Sequence, residues 1–384
     1  MKLFDVYPLL PLSIEKAMGS RLWDDKGEEY LDFYGGHAVI SIGHSHSAYV
    51  QAIKSQLEKI GFYSNAVINP LQEKLAEKLG KLSGYGDYSL FLVNSGAEAN
   101  ENAFKTASFL SGKKKFISFR NSFHGRTSAS VAATDDPSII APVNVSENFV
   151  FCPFNDIETF ETLFYRNKED LAGVITEGIQ GIGGIHIPSK DFIKRIEQLC
   201  RELGVFFICD EIQSGYGRTG KFFAHQYFEV RPDIITVAKG MGNGFPIGGV
   251  LFSSHIEARK KMLGTTFGGN HLACSAALAV LEVMERENLI VRSYEKGQYL
   301  LDSLTKFRKI KEIRGRGLMI ALDFDFSASG VSRLLREKYK ILVDSAKNSH
   351  TIRLLPPLGI TEEEIDYFLI SLSHILGERS PFAE

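Results

Sequence analysis

The sequence predicts an α/β fold: a large unit with a mostly parallel sheet wrapped by helices, and a smaller α/β unit assembled from both chain ends. Three observations carry this reading. Between about residues 90 and 265, short apolar runs alternate with helical stretches, the pattern of strands joined by crossover helices. Two of those runs end on an ionisable residue. Val205-Phe206-Phe207-Ile208-Cys209 closes on Asp210, and Ile234-Ile235-Thr236-Val237-Ala238 closes on Lys239, 29 residues further on. That separation fits two strands of one sheet with a connection between them. If the strands are parallel, both side chains emerge at the carboxyl edge, where open α/β sheets bind ligands. Finally, after about residue 270 a long helical stretch at 271–287 leads into a second set of strands.

In chain order, residues 1 to about 40 read as an irregular arm followed by short strands, with Arg21-Leu22-Trp23-Asp24 and Tyr30-Leu31-Asp32-Phe33 flanking the turn Asp25-Lys26-Gly27. From about 48 to 82 apolar residues recur every three or four positions (Val50, Ile53, Leu57, Ile60, then Leu71, Leu75, Leu79), the spacing of an amphipathic helix. Strands are predicted at 89–93, 115–119, 173–176, 205–209, 234–238 and 249–252, with a helix at 192–203 between the third and fourth. The second set of strands falls near 310–314, 318–323 and 351–355.

The 384 residues suffice for two to three domains at roughly 100–200 residues each. A net charge of −2 supplies no basic footprint for nucleic acid or an anionic membrane. Cys152, Cys200, Cys209 and Cys274 form no CxxC pair, so neither a disulfide framework nor a zinc cluster is expected, and no metal site is assigned. Pro8, Pro11, Glu15 and Lys16 interrupt the apolar residues near the N-terminus, which argues against a signal peptide. No uncharged apolar stretch reaches the ~18 residues needed to span a bilayer. A cytoplasmic location is the expectation.

Several motifs surround the two ionisable strand ends. Asn94-Ser95-Gly96-Ala97-Glu98 follows a strand and opens a helix, and Ser95 with Glu98 has the spacing of a capping box. An ordinary capped helix is one reading. The other is a phosphate seat, in which free N–H groups and the helix dipole meet an anion that Gly96 lets approach. Beside Lys239 and Asp210, the phosphate reading is preferred. Gly215-Tyr216-Gly217-Arg218-Thr219-Gly220 matches G-x-G-x-x-G, but the following Lys221-Phe222-Phe223-Ala224-His225 makes a poor helix, so the glycines are read as shaping a loop near Asp210. Phe123-His124-Gly125-Arg126 follows a strand. Its aromatic and guanidinium are either core and surface, or a face for a flat cofactor and an anchor for a substrate carboxylate. His44 and His46 lack acidic or cysteine company at metal spacing and are read as structural hydrogen-bonders.

One cofactor accounts for most of these features. Pyridoxal 5′-phosphate needs a lysine for its aldehyde, an acid at its ring nitrogen, a phosphate site and something to hold the ring. Nearly the whole chain resembles the class III pyridoxal-phosphate aminotransferases of fold type I, closest to the acetylornithine and succinylornithine aminotransferases within the ornithine aminotransferase group. The resemblance rests on the motifs above together with Leu22-Trp23-Asp24, Gly43-His44, Asp210-Glu211-Ile212-Gln213-Ser214-Gly215, Ala238-Lys239-Gly240, Gly244-Phe245-Pro246-Ile247-Gly248 and Thr266-Phe267-Gly268-Gly269-Asn270.

The resemblance implies a role for each matching residue. Lys239 is expected to carry the cofactor covalently and Asp210 to face its ring nitrogen. Gln213 is expected to reach the ring's phenolic oxygen, and Gly96 and Ala97, with Ser95 beside them, to bind the phosphate. Phe123 is expected to stack on the ring, and Arg126 to hold the substrate α-carboxylate. Thr266 is expected to cross a homodimer interface to the partner's phosphate, with Thr265 next to substrate. The implied division is 1–45, N-terminal arm and part of the small domain; 46–270, the large cofactor-binding domain; and 271–384, linking helix and C-terminal small domain. The implied reaction exchanges the 5-amino group of an N-acylornithine with 2-oxoglutarate in arginine biosynthesis. N-succinylornithine, free ornithine and 4-aminobutyrate or other ω-amino acids are the rival substrates, and a non-catalytic ligand-binding protein is the rival of a different class.

One departure stands out. Related enzymes show E-P-[IV]-Q-G-E where this chain reads Glu177-Gly178-Ile179-Gln180-Gly181-Ile182. The resemblance implies that the second glutamate, here Ile182, pairs with an arginine matching Arg353. Without it, Arg353 is expected to stay open to a substrate anion unless another carboxylate takes over.

Overall fold

The structure, a computed structural model, describes residues 1–382. Three strands come from the N-terminal part: β1 (Ile14–Met18), β2 (Arg21–Asp24) and β3 (Glu29–Phe33). Seven follow from the middle of the chain: β4 (Ser89–Val93), β5 (Lys115–Phe119), β6 (Phe149–Cys152), β7 (Leu171–Glu177), β8 (Phe206–Asp210), β9 (Ile234–Val237) and β10 (Gly248–Phe252). Four close the chain: β11 (Glu312–Arg316), β12 (Met319–Asp323), β13 (Ile341–Ser345) and β14 (Thr351–Leu354).

The middle strands form one sheet in the order β4-β10-β9-β8-β7-β5-β6. Pairing is parallel from β6 through β9, while β10 runs antiparallel to both β9 and β4. Helices cover both faces of such a sheet, so its central strands read as unbroken apolar runs. Every residue of β7 and β9 is buried. The helix Lys190–Leu203 shows how the cover is built. It turns Phe192, Ile193, Ile196, Leu199 and Cys200 inward, Ser189 caps its start by accepting from the Phe192 N–H at 3.2 Å, and Gly204, at φ 62°, ends it. The parallel register sets Glu177 opposite Asp210 and Asp210 opposite Thr236. Both acids therefore lie at one sheet edge.

The second sheet draws on both chain ends in the order β1-β2-β3-β13-β14-β12-β11, joined by the parallel pair β3–β13. The helix Glu362–Leu376 seals it with Ile365, Phe368, Leu369 and Leu372, and Phe368 stacks on Phe33 with ring centroids 4.6 Å apart. None of the described helices is long and apolar enough to cross a membrane.

Local differences from the sequence reading have physical causes. The periodic stretch at 48–82 is two helices, Ser47–Leu57 and Pro70–Ser83, because Asn69 caps and Pro70 opens the second one. β6 and β13 were not anticipated: each is a run of three or four apolar residues, too short to separate from a loop by pattern. Ser95 accepts from the Glu98 N–H at 3.1 Å, but the Glu98 carboxylate bonds the Asn94 N–H at 2.7 Å, so the reciprocal half of the capping box is absent. His44 and His46 do serve as hydrogen-bonders, to Asp32 (2.8 Å) and Glu287 (3.0 Å).

The G-x-G-x-x-G segment is a loop in which Gly217 and Gly220 take φ of 77° and 89°. Between them, Arg218 is buried and donates to the carbonyls of Leu318 (3.2 Å), Ile40 (3.0 Å) and Pro356. It ties three distant segments together. Arg218→Met would leave those carbonyls buried without donors and is expected to lower stability by about 3 kcal/mol, measured by urea unfolding.

Candidate active site

The carboxyl edge of the parallel strands opens into a cavity of about 410 Å³. Of the residues singled out from the sequence, Ser95, Gly96, Ala97, Phe123, Arg126, Asp210, Gln213 and Lys239 line it together. Thr265, Thr266 and Arg353 do not. Thr266 is exposed, whereas Thr265 receives the Asn94 amide at 3.3 Å and therefore sits at the rim.

Asp210 ends β8 and is 3% exposed. Its Oδ2 accepts from Asn100 Nδ2 and His124 Nδ1, each at 2.8 Å, and its Oδ1 accepts from the Ile212 N–H at 3.0 Å. A carboxylate has about four acceptor sites, so one remains for a donor in the cavity. Lys239 follows β9 with a left-handed backbone, φ 47°, a conformation that costs a side-chain-bearing residue about 1 kcal/mol or more. Burial, with the Arg353 charge adding to it, pulls its amine down to about 8 against the opposing pull of Asp210, Glu177 and Asp344. A larger share of the amine is then the nucleophilic free base near neutrality.

At the helix Gly96–Ser111 the first N–H groups have no carbonyl behind them. Close packing shapes this corner. A Cβ on Gly96 would lie 2.9 Å from Ile212, and one on Gly125 would lie 2.8 Å from the Ala97 Cβ. Free amides, an aromatic face at Phe123, an acid with a vacant acceptor site and a desolvated amine in one cavity fit the donor set that pyridoxal phosphate requires. Arg126 is exposed at the mouth, with no carboxylate at ion-pairing distance among the described residues.

Four contributors were not among the assigned site residues. Glu177 ends β7 in register with Asp210, accepts from the Phe123 N–H (3.1 Å) and the Gly181 N–H (2.8 Å), and is pushed up to about 7 by burial, with the Asp210 charge adding to that and His124 opposing it. The same signal that marks Asp210, an acid closing an apolar run, marks Glu177. Asn100 and His124 hold Asp210 from two other elements. Asp344, on the unanticipated strand β13, closes an apolar run of only three residues, too short to read as a strand.

Asp344 answers the question raised by Ile182. Its Oδ2 lies 2.5 Å from Arg353 Nη2, directly across the β13–β14 ladder, so another carboxylate has taken over and Arg353 is not open. Arg353 also donates to the Ser345 carbonyl (2.8 Å) and to Gln213 Oε1 (3.1 Å). Gln213 turns its own Nε2 toward the His37 carbonyl at 3.2 Å. Gly181 makes room for that amide: a Cβ there would fall 1.7 Å from Gln213 Oε1.

Among the described residues, one trio, Cys209, Glu211 and His225, is compact enough to suggest a metal. Its polar atoms are already used. Glu211 accepts from His225 Nδ1 (2.8 Å), Ser214 (2.7 Å) and the Ala224 N–H (3.0 Å), and the other nitrogen of His225 meets the Tyr85 hydroxyl at 2.5 Å.

The class III aminotransferase family model matches residues 5–376, and the chain belongs to that family. It is an aminotransferase. The chain is 40% identical to the acetylornithine aminotransferase of Bacillus subtilis, with 98% of each chain covered, and 39% identical to that of Methanocaldococcus jannaschii, with 97% of this chain and 95% of the relative covered. Among solved structures, the ornithine aminotransferase of Toxoplasma gondii matches with a TM-score of 0.88 at 31% identity, over 97% of this chain and 91% of its own. A transaminase from the marine bacterium Virgibacillus matches with a TM-score of 0.90 at 26% identity, over 96% and 93%.

Labelling of Lys239 in the cofactor-free protein by an amine-directed reagent is expected to reach its half-maximal rate near pH 8, well below an ordinary lysine. Peptide mapping of the labelled protein across a pH series measures this.

Proposed function

We propose that this enzyme uses pyridoxal 5′-phosphate to transfer the 5-amino group of N-acetylornithine to 2-oxoglutarate, giving N-acetylglutamate 5-semialdehyde and glutamate, in cytoplasmic arginine biosynthesis. The observation that carries the substrate is the uneven state of two arginines. Arg126 stands open at the cavity mouth, while the charge of Arg353 is already matched by Asp344. The cavity thus offers one ready anchor for one α-carboxylate. Ile179 and Ile182 line the wall and suit a neutral acyl group rather than a second ammonium. The naming of the Bacillus and Methanocaldococcus relatives supports the same reading.

When bound, the cofactor supplies an electron sink for the carbanion formed at the amine-bearing carbon. Residues of this chain do the rest. The Gly96 and Ala97 amides, with the Ser95 hydroxyl, would seat the phosphate, Phe123 would lie against the ring, and Asp210 would hold a proton at the ring nitrogen. Lys239 Nζ would move the proton from the amine-bearing carbon of the substrate to the cofactor's C4′ carbon, and back in the second half-reaction, which a lowered pKa suits. Two half-reactions at one site make ping-pong kinetics the expectation.

We read the active form as a homodimer. Phe62, Tyr63, Ile68 and Phe267 are exposed beside Thr266, and Asn65 bonds the Thr265 and Gly268 carbonyls at 3.1 and 3.0 Å. A second copy covering this apolar surface would bring Thr266 to the partner's phosphate seat.

Steady-state kinetics on N-acetylornithine, N-succinylornithine, free ornithine and 4-aminobutyrate test the substrate. N-acetylornithine is expected to show the highest kcat/KM, and a preference for free ornithine or 4-aminobutyrate would overturn the reading. Lys239→Ala is expected to abolish both turnover and the visible absorption of covalently bound cofactor. Arg126→Ala removes a charge-assisted carboxylate contact and is expected to lower kcat/KM for N-acetylornithine by about 10- to 100-fold while leaving cofactor absorbance intact.

A further inference from the structure

Both isoleucines of the cavity wall, Ile179 and Ile182, belong to one short loop, residues 178–187, that follows β7. The loop closes on itself. Gln180 and His186 exchange N–H···O bonds of 3.0 and 3.2 Å, and Gly184, at φ 122°, makes the turn between them. Its base is tied to the large sheet, because the Gly178 N–H donates to the Asp210 carbonyl at 3.2 Å and the Gly181 N–H to Glu177 at 2.8 Å.

The tip is tied to the other sheet. The Ile182 carbonyl accepts from the Lys347 N–H at 3.0 Å, in the turn between β13 and β14. The Gly184 carbonyl accepts from Arg314 on β11, through Nε at 3.2 Å and Nη2 at 3.0 Å. Among the described residues neither carbonyl has another donor. Apolar contacts run the same way: Ile179 and Ile185 share a buried cluster with Met319 and Ala321 of β12 and with Leu355 just beyond β14. Arg314 is itself held fast. Its side chain is 12% exposed, its Nη1 and Nη2 meet the two Asp323 oxygens at 2.7 and 2.9 Å, and the Thr351 hydroxyl donates to the same carboxylate at 2.6 Å. A guanidinium carries its donors in a rigid planar fork. Once clamped on Asp323, it offers the Gly184 carbonyl one place only.

Building on the N-acetylornithine reading, we propose that Arg314 is a positioning residue for the acyl group. It lies outside the active-site cavity and touches no substrate, yet it fixes the peptide two residues beyond Ile182 and so fixes where that side chain stands. Ile182 has no polar atom with which to hold itself. A displacement of about 1 Å in a group that orients substrate can cost on the order of 100-fold in rate, so the second sheet governs a wall that the large sheet only begins.

The test uses Arg314→Lys in the cofactor-loaded enzyme. Lysine keeps a cation for Asp323 and Glu312 but loses the fork that also reaches Gly184. Two amino donors are compared, N-acetylornithine and 5-aminopentanoate, which keeps the carboxylate and the 5-amino group and lacks only the acylamino branch. The variant is expected to lower the N-acetylornithine-to-5-aminopentanoate ratio of kcat/KM by about tenfold, chiefly through KM, the scale of one charge-assisted hydrogen bond lost. Hydrogen exchange of peptides covering 178–187 is expected to quicken, while peptides covering β8 keep their wild-type rates. Equal losses on both donors would mark a merely structural role and overturn the proposal, as would unchanged exchange in the loop.

Should Arg314→Lys not fold, the other hold on the tip gives the same reading. Lys347→Pro deletes the N–H that holds the Ile182 carbonyl and Lys347→Ala keeps it, so the donor ratio is expected to fall in the first variant relative to the second. Equal ratios in the two would overturn the proposal. Failure of the wild type to use N-acetylornithine would reject the substrate reading, and the exchange rates of 178–187 would still decide whether Arg314 holds the loop.

Discussion

The site depends on how Asp210 is held. Three donors from three different places converge on its carboxylate: Asn100 from the helix Gly96–Ser111, His124 from the loop after β5, and the Ile212 N–H just beyond its own strand. Asn100 in turn accepts from Thr236 on β9 at 2.8 Å. The helix that opens at Gly96, the loop that carries Phe123 and the acid therefore share one buried network. A buried network of this kind fixes relative position as well as energy, although His124 Nε2 has no partner in it. Moving any one element would leave a polar group unpaired in the core, so the cavity keeps its shape through the packing of the sheet rather than through any ligand.

Around that network the electrostatics are balanced rather than neutral. Lys239, Glu177 and Arg353 are each shifted mainly by burial, and all three shifts run toward the uncharged form. Desolvation at the sheet edge thus draws the Lys239 amine down to about 8 and pushes the Glu177 carboxyl up to about 7. The left-handed backbone at Lys239 belongs to the same arrangement. Local strain persists where surrounding structure over-determines it, and here β9 and the Gly240–Gly244 loop supply that structure.

Much of this was legible in the sequence, for reasons that can be named. Strands buried on both faces write themselves as apolar runs, so β4, β5, β8, β9 and β10 fell within a residue of their predicted bounds, and the ionisable residues ending β8 and β9 marked the site. The motifs after β4 and β5 added the helix start at Gly96 and the aromatic Phe123, both of which line the cavity. Long-range pairing left no such trace. Asp344 closes an apolar run of three residues, too short to read as a strand, and its pairing with Arg353 appears only when β13 lies beside β14. Thr266 was named only through the resemblance, and it lies outside the cavity of its own chain.

Gly181 constrains the surroundings of two charged groups at once. No side chain fits there while Gln213 holds its present place, since even a β-carbon would overlap the amide oxygen. Gln213 is also a partner of Arg353, and the Gly181 N–H is a partner of Glu177. A mutation at 181 would therefore disturb a cavity-wall carboxylate and a buried cation together. A side chain at 181 would require the Gln213 amide, the far end of a flexible side chain, to swing away, and Arg353 would lose that partner.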